Sequence, residues 1–119
     1  MRILLAEDDD TTRRMISEWL TKLGHQVILA KDGLEGIVAF NDHTPELVIT
    51  DCLMPQVCGR TLTQHVKNRN GNIPVIMLTA FSERFSRAEA ERIWANEYLQ
   101  KPVTMSQLQQ AIEVHDRYC

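Results

Sequence analysis

The chain opens with Met1-Arg2-Ile3-Leu4-Leu5-Ala6-Glu7-Asp8-Asp9-Asp10, in which a short apolar run meets four acidic residues. The continuous apolar run over 3–6 is typical of a strand that is covered on both faces of a sheet. Such strands belong to parallel sheets flanked by helices, so this stretch favours an α/β fold. The acids that follow the run at once exclude a signal peptide.

The rest of the chain alternates between apolar runs and helical patterns. Further strands are predicted over 27–30, 47–50, 75–78 and 98–100, and helices over 11–23, 33–42, 59–67, 83–94 and 106–118. In the helix over 33–42 we expect Leu34, Ile37, Val38 and Phe40 to lie on one side. Strands that alternate with helices predict one domain over 1–119, with a parallel sheet covered by helices on both faces.

The composition excludes several classes of protein. The 119 residues suffice for one core, and 44% hydrophobic with 24% charged residues is ordinary for a folded domain. A formal net charge of −3 argues against nucleic-acid binding by this chain. No apolar run approaches the roughly 20 residues that cross a bilayer, so we expect no membrane segment.

The cysteines Cys52, Cys58 and Cys119 make an odd count in a chain without an export signal. This pattern predicts free thiols in a reducing, cytoplasmic compartment. The spacing from Cys52 to Cys58 is too wide for a CxxC redox or zinc pair, so we expect small packed side chains. Directly after a carboxylate, the Cys52 thiol should resist ionisation and react poorly.

Chemically useful side chains follow the predicted strands. In open α/β sheets, ligands bind beyond the carboxyl ends of the strands. Glu7 and Asp8 follow the first strand, Asp51 the third, Thr79 ends the fourth, and Lys101 follows the fifth. If the first and third strands are neighbours, their carboxylates repel one another unless a divalent cation, usually Mg²⁺, lies between them. A lysine beside such a site suits it to handling a phosphoryl group.

Four segments at these positions resemble the receiver domains of two-component response regulators. They are ILLAEDD (3–9), VITDCLMP (48–55) followed by Gly59, VIMLTA (75–80) and YLQKP (98–102). The resemblance covers nearly the whole chain. It implies a flavodoxin-like, doubly wound (βα)5 fold with a five-stranded parallel sheet of order 2-1-3-4-5.

The resemblance implies a phosphoacceptor and a metal site. Asp51 matches the aspartate that accepts a phosphoryl group from a phosphohistidine and forms an acyl phosphate. Asp8 matches the direct Mg²⁺ ligand, Glu7 the acid that often reaches the metal through water, and the Leu53 backbone carbonyl the main-chain ligand. Mn²⁺ or Ca²⁺ is expected to substitute for Mg²⁺.

The remaining matches imply a switch. Lys101 matches the lysine that pairs with the phosphate, and Thr79 the hydroxyl that moves to bind a phosphate oxygen. Tyr98 matches the aromatic residue that turns inward when Thr79 moves, so the signal is a bias on a two-state equilibrium. Such a domain is not an enzyme beyond its own aspartyl phosphorylation and dephosphorylation.

The implied phosphodonor is a histidine kinase or a histidine phosphotransfer protein. The predicted helix over 83–94, the last strand and the last helix form the face on which family members bind an output domain, a downstream protein or each other. Candidate contacts on this face are Arg84, Arg87, Glu91, Trp94, Tyr98 and Gln107. The last helix lacks the Arg-rich pattern of receivers that dimerise to bind DNA, so we expect a monomer or a weak dimer.

The chain departs from the family pattern at Trp94, where a glycine usually ends the helix over 83–94. We predict that this helix ends differently, at Asn96, which tolerates a left-handed conformation better. Trp94 either packs onto the helix or is an exposed binding anchor. Leu53 and Phe81, two large apolar residues after Asp51 and Thr79, should hinder an attacking water and prolong the life of the phosphoryl group.

Two other functions are weighed against the phosphorylatable switch. A degenerate receiver that only binds proteins would lack an acid, the threonine or the lysine, and all are present. A phosphatase-type hydrolase with an aspartyl nucleophile would need a second aspartate two residues after Asp51, where Leu53 stands.

Overall fold

The fold is a parallel sheet of five strands in the order β2-β1-β3-β4-β5. The structure is a computed structural model that describes residues 1–79 and 95–117, apart from the side chains of 116 and 117. The strands are β1 (Arg2–Ala6), β2 (Gln26–Ala30), β3 (Leu47–Asp51), β4 (Val75–Thr79) and β5 (Glu97–Gln100). The helices are α1 (Asp10–Lys22), α2 (Gly33–His43), α3 (Gly59–Arg69) and α4 (Met105–Arg117). The predicted fold class and strand order are confirmed, and the predicted helix over 83–94 lies outside the described residues.

Two apolar clusters cover opposite faces of the sheet. Alternate residues of β1 divide between them, with Ile3 and Leu5 on the α1 and α4 side and Leu4 on the α2 and α3 side. The first cluster also contains Ile16, Leu20, Ile49, Leu78, Leu108 and Ile112, and the second Phe40, Val48, Leu62 and Val66. This two-sided burial explains why the first strand is a continuous apolar run. None of the helices described over 1–79 and 95–117 is long and apolar enough to span a membrane.

Helix α2 buries only part of the apolar side that the sequence predicts. Leu34 and Val38 are 51% and 52% exposed, whereas Phe40 on the same predicted side is buried. The buried residues of this helix include Gly36 and Phe40. The helix lies so close to α3 that a Cβ on Gly36 would be 2.9 Å from Leu62 Cδ2. The inner face therefore carries a glycine where α3 approaches, and the larger side chains are left in solvent.

Asn96 joins the starts of β4 and β5. Its side-chain Oδ1 accepts hydrogen bonds from the Val75 N–H at 2.9 Å and from Lys67 Nζ at 2.6 Å. Among the described non-glycine residues, φ is positive at Thr44 and Gln56. Asn96 therefore does not take the left-handed conformation that the sequence predicts for it, and its side chain serves to connect α3, β4 and β5. The predicted helix end itself falls outside the described residues.

Candidate phosphoryl-transfer site

The strand register brings the predicted site residues to one edge of the sheet. Ala6 is paired with Thr50, so Glu7 and Asp51 follow at the same level on neighbouring strands. Thr79 is paired with Gln100 on the other side, and the Lys101 N–H donates to the Thr79 carbonyl oxygen at 2.7 Å. All of these residues lie at the carboxyl ends of parallel strands, which is where open α/β sheets bind ligands.

Three carboxylates form a compact acidic group at this edge. One oxygen from each of Glu7, Asp8 and Asp51 lies within 4.8 Å of the other two. Glu7 is fully buried, Asp51 is 7% exposed, and Asp8 lies at the surface. The group therefore has a buried base and an open mouth, so that a ligand can enter from the solvent side.

Lys101 contacts two of the three acids. Its Nζ lies 2.6 Å from Glu7 Oε1 and 3.1 Å from Asp51 Oδ2. Partial burial disfavours the charged lysine, but the two carboxylates outweigh this effect and raise the pKa of Lys101 above its ordinary value. The ammonium group is therefore charged, and it lies between the predicted phosphoacceptor and the most buried acid. The resemblance paired Lys101 with phosphate, and the contact with Glu7 is an addition from the structure.

Glu7 is the member of the group whose negative charge is least favourable. Its pKa is raised to about 7, first by burial and then by the neighbouring Asp51 carboxylate, whereas Lys101 opposes the rise. Its Oε2 atom is buried without a hydrogen-bond partner in the part of the chain that the structure describes. A buried, unpartnered carboxylate oxygen beside two further carboxylates offers the hard oxygen ligands that Mg²⁺ prefers. The residues present therefore fit a divalent cation.

Asp51 is positioned by the backbone that follows it. Its Oδ1 accepts a hydrogen bond from the Cys52 N–H at 2.9 Å, which leaves Oδ2 toward Lys101. Gly59, the first residue of α3, lies directly against this segment. A Cβ on Gly59 would be 2.0 Å from the Asp51 carbonyl oxygen, so any other residue would push α3 away from the acceptor. The family resemblance included Gly59 but implied no role for it. Its role is to let the start of α3 lie directly against Asp51.

The four acids after β1 divide into two kinds. Asp9 caps α1 by accepting a hydrogen bond from the Thr12 N–H at 2.8 Å, and Asp10 pairs with Arg13 within the helix. Hydrogen bonds from Thr12 lower the pKa of Asp9. Arg13 also donates to the Glu7 carbonyl oxygen at 2.9 Å, and so braces the chain at the site. Sequence reasoning missed Arg13, although its spacing of three from an acid on a helix was a usable signal.

The remaining predicted residues lie around this core. Thr79 is 3% exposed at the end of β4, and Tyr98 is half-buried on β5, where it packs against Met77. Leu53 lies in the loop after β3, with a side chain 64% exposed. Gln107 is exposed, but its Oε1 accepts a hydrogen bond from the Thr104 N–H at the start of α4. Five further predicted positions fall outside the described residues: Phe81, Arg84, Arg87, Glu91 and Trp94.

Comparison with known proteins decides the family. The model of the response regulator receiver domain matches residues 3–113. The chain belongs to the response regulator receiver family. Receiver domains bind Mg²⁺ at an acidic pocket, and this receiver domain has the acidic group Glu7, Asp8 and Asp51. Receiver domains also partner with histidine kinases.

Relatives of known sequence and structure agree with this assignment. The chain is 37% identical over 113 residues to the transcriptional regulatory protein RprY of Bacteroides fragilis. The aligned region covers 95% of this chain and 48% of RprY. It is 33% identical over 102 residues to the Regulator of RpoS of Escherichia coli, which covers 86% of the chain and 30% of that protein. The receiver domain thus spans about a third to a half of the length of these relatives.

Two solved structures are close in shape to the receiver domain. The Francisella response regulator 1452 receiver domain has a TM-score of 0.90 at 25% identity, over 99% of this chain and 98% of that one. The receiver domain of a sensor histidine kinase from Pseudomonas aeruginosa PAO1 has a TM-score of 0.87 at 27% identity, over 95% and 94%. That protein was solved with a magnesium ion coordinated in its active-site cleft.

Proposed function

We propose that residues 1–119 form a phosphoacceptor receiver domain that takes a phosphoryl group onto Asp51 in a Mg²⁺-dependent reaction. The donor is the phosphohistidine of a histidine kinase or a histidine phosphotransfer protein. The observation that carries this proposal is the group of three carboxylates within 4.8 Å of one another, with Lys101 on two of them. Three acids so close together repel one another, and a cation or a phosphoryl group bound between them and the ammonium would use this charge.

In the proposed reaction a carboxylate oxygen of Asp51 attacks phosphorus, and the bond from phosphorus to the imidazole nitrogen of the donor breaks. The product is an acyl phosphate on Asp51, and the imidazole leaves with the electron pair. Lys101, 3.1 Å from Asp51 Oδ2, offsets negative charge on the transferring group. Glu7, Asp8, Asp51 and the Leu53 carbonyl would hold Mg²⁺, which, when bound, neutralises charge on the phosphoryl oxygens.

The output follows from the added charge. A phosphoryl group at Asp51 brings acceptor oxygens to the edge of the sheet, next to the end of β4 where Thr79 lies. In the proposed switch, the Thr79 hydroxyl moves to one of these oxygens, and Tyr98 turns into the space that Thr79 leaves. The change reaches a partner face that comprises Tyr98, Gln107 and the predicted contacts Arg84, Arg87, Glu91 and Trp94. The proposal includes a cytoplasmic location, supported by the free thiols of Cys52 and Cys58.

The test is phosphorylation by a small phosphodonor such as acetyl phosphate, followed by intact mass. We expect wild type to gain one phosphoryl group with Mg²⁺ and none with EDTA. Asp51→Asn should gain none, because the amide is no nucleophile for phosphorus. Asp8→Asn should lose the Mg²⁺ dependence together with the uptake.

A matched control comes from the same acidic run. Asp10→Asn removes an equal charge two residues from Asp8, but Asp10 pairs with Arg13 on α1 and lies outside the acidic group. This variant should take phosphate like wild type. No uptake by folded wild type would overturn the proposal and favour the degenerate receiver that binds partners without phosphorylation. Uptake that survives in Asp51→Asn would place the acceptor elsewhere.

A further inference from the structure

The loop between β3 and α3 begins and ends with a cysteine, and the fold brings its ends together. Cys52 is the first residue after β3, and Cys58 immediately precedes α3. The Gly59 N–H donates to the Cys52 carbonyl oxygen at 2.9 Å, which closes the loop between the two cysteines. A Cβ on Gly59 would lie 3.1 Å from the Cys52 Cα, so the chain returns to Cys52 one residue after Cys58.

Because the loop is closed, Cys52 and Cys58 are closer in the fold than their spacing in sequence indicates. Five residues separate the cysteines in sequence, which is too wide a spacing for a local CxxC pair. Cys58 Cα is about 3.8 Å along the chain from Gly59 Cα, and disulfides join Cα atoms about 4.4–6.8 Å apart. The closure at Gly59 therefore holds Cys58 one residue from the point where the loop returns to Cys52, and formation of the disulfide requires the 53–57 segment to move until the two sulfur atoms meet. Both thiols are free and half-buried in the structure.

The two thiols have different surroundings. The side chain of Cys52 packs against Met77 on β4, whereas Cys58 Sγ lies near the first turn of α3, 3.6 Å from Thr61 Oγ1. Partial burial disfavours the Cys58 thiolate, but the first-turn groups of Thr61 and Arg60 outweigh it and lower the pKa of Cys58. Cys58 is therefore the thiol prepared for attack, and Cys52 the one placed to resolve the product.

We propose that Cys52 and Cys58 are a redox modification site that closes to an intrachain disulfide when the protein meets a peroxide. The Cys58 thiolate attacks one oxygen of hydrogen peroxide, the O–O bond breaks, and hydroxide leaves and is protonated to water. Cys58 is thereby oxidised to a sulfenic acid. The Cys52 sulfur then attacks the Cys58 sulfur, the S–O bond breaks, and the hydroxide leaves as water with the Cys52 proton. Two thiols and one peroxide give one disulfide and two waters.

The disulfide would act on the segment that carries Leu53. Residues 53–57 lie between the two sulfur atoms, and this segment contains Leu53, whose carbonyl the proposed function offers to Mg²⁺. A covalent bridge across the loop fixes this segment in one conformation, so oxidation should change the Mg²⁺ affinity of the acidic group. This consequence rests on the proposed function, whereas formation of the disulfide does not. In a reducing cytoplasm such a bond is transient and suits a sensor.

The test uses the full chain with Cys119→Ser, so that the third thiol cannot exchange. Trypsin cuts after Lys31 and Arg60, so one peptide, 32–60, contains both cysteines. After treatment with hydrogen peroxide, we expect this peptide to lose two hydrogen masses and titratable thiols to fall from two to none per chain. Dithiothreitol should restore both. In Cys52→Ser, Cys58 should instead stop at the sulfenic acid, which a dimedone probe captures.

Two results would overturn the inference. One is a 32–60 peptide that gains oxygen while Cys52 stays reduced, and the other is a disulfide between two chains on a non-reducing gel. The mapping needs no phosphoryl transfer, so it stays informative if Asp51 takes no phosphate. A disulfide that forms while Mg²⁺ binding, measured by calorimetry, stays unchanged would overturn only the coupling to the metal site.

Discussion

The candidate site draws its residues from two regions of the sheet that differ in burial. β1 and β3 lie in the middle, and apart from Arg2 every residue in them is buried. β5 lies at one side of the sheet, with three half-buried residues and one exposed residue. Glu7 follows β1 directly and Asp51 is the last residue of β3, whereas β5 carries Tyr98 and leads into Lys101. The site therefore joins a buried, charged centre to an edge strand that is less buried.

The difference in burial suits the central strands to phosphoryl transfer and the edge strand to conformational change. Charges that must keep a geometry within a fraction of an ångström are best held by strands packed on both faces. A residue that must change its rotamer, such as the predicted switch Tyr98, needs a side of the sheet with room to move. Lys101 crosses the division, because it follows the edge strand but contacts the central acids at 2.6 and 3.1 Å. Substitution of Lys101 should therefore affect both the central strands and the edge strand, and it should have the largest effect on function.

The largest expected effect is that of Lys101→Met on phosphoryl transfer. Loss of the ammonium removes the cation that contacts Glu7 and Asp51, and the rate of phosphate uptake from acetyl phosphate should fall about 10²–10³-fold. Lys31→Met is the matched control, because Lys31 pairs with Glu35 at the surface, away from the acidic group. A rate for Lys101→Met within a few fold of the control would assign all the chemistry to the central strands.

The next effect concerns the central acids and pH. In metal-free protein the pKa of Glu7 is about 7, against 4.5 for an ordinary glutamate. The folded state therefore binds more protons than the unfolded state between these values, and stability falls as pH rises through this window. The loss is on the order of 3 kcal/mol, at about 1.4 kcal/mol for each pKa unit. Urea unfolding in EDTA at a series of pH values measures it.

Glu7→Gln provides the comparison for this pH dependence. The amide cannot ionise, so the variant should lose most of the decline in stability between about pH 5 and pH 8. Glu18→Gln, a surface acid on α1, should leave the decline unchanged. Added Mg²⁺ should raise the stability of wild type at the upper end of the window. If the free energy of unfolding falls with pH equally in wild type and in Glu7→Gln, ionisation of Glu7 does not cause the decline.

The third effect tests how the edge is attached. Asn96→Ala removes the acceptor for the Val75 N–H and for Lys67 Nζ at the start of β5. A buried donor left without a partner costs about 1–3 kcal/mol, so the free energy of unfolding should fall by this amount. Asn72→Ala, an exposed asparagine in the neighbouring turn, is the control. Hydrogen exchange should quicken in β5 and not in β1, and equal quickening in both strands would contradict a separately attached edge.

The sequence predicted the centre of the molecule better than its periphery, for a physical reason. β1 and β3 are continuous apolar runs that end in acids, so burial and strand ends could be predicted without knowledge of neighbours. The inner face of α2 could not be predicted, because the approach of α3 at Gly36 outweighs the apolar spacing of Leu34 and Val38. Periodicity reports which side of a helix is apolar, and only packing reports which side is close to a neighbour.

The site shows the same limit. The residue types at the strand ends predicted the acidic group, and the strand register places them together as expected. The contact of Lys101 with Glu7, the brace from Arg13 and the link through Asn96 depend on side-chain directions across elements, which a linear pattern does not contain. The closure of the loop between Cys52 and Cys58 belongs to this class too, since it depends on the hydrogen bond from Gly59 to the Cys52 carbonyl oxygen.

The smallest expected effect on chemistry, and the sharpest on motion, is that of Thr79→Ala. In the proposed switch Thr79 acts after the acyl phosphate forms, so its loss should change the rate of phosphate uptake by less than about threefold. The Thr79 hydroxyl is, however, the group proposed to move to a phosphate oxygen. Without that movement no space opens for Tyr98, so Tyr98 should not turn inward. Acetyl phosphate should therefore alter hydrogen exchange in β5 of wild type but not of Thr79→Ala. Thr79→Ser keeps the hydroxyl and should restore the response. A full response in Thr79→Ala would mean that phosphate reaches the edge through Lys101 alone, and the division between fixed centre and moving edge would then rest on that lysine.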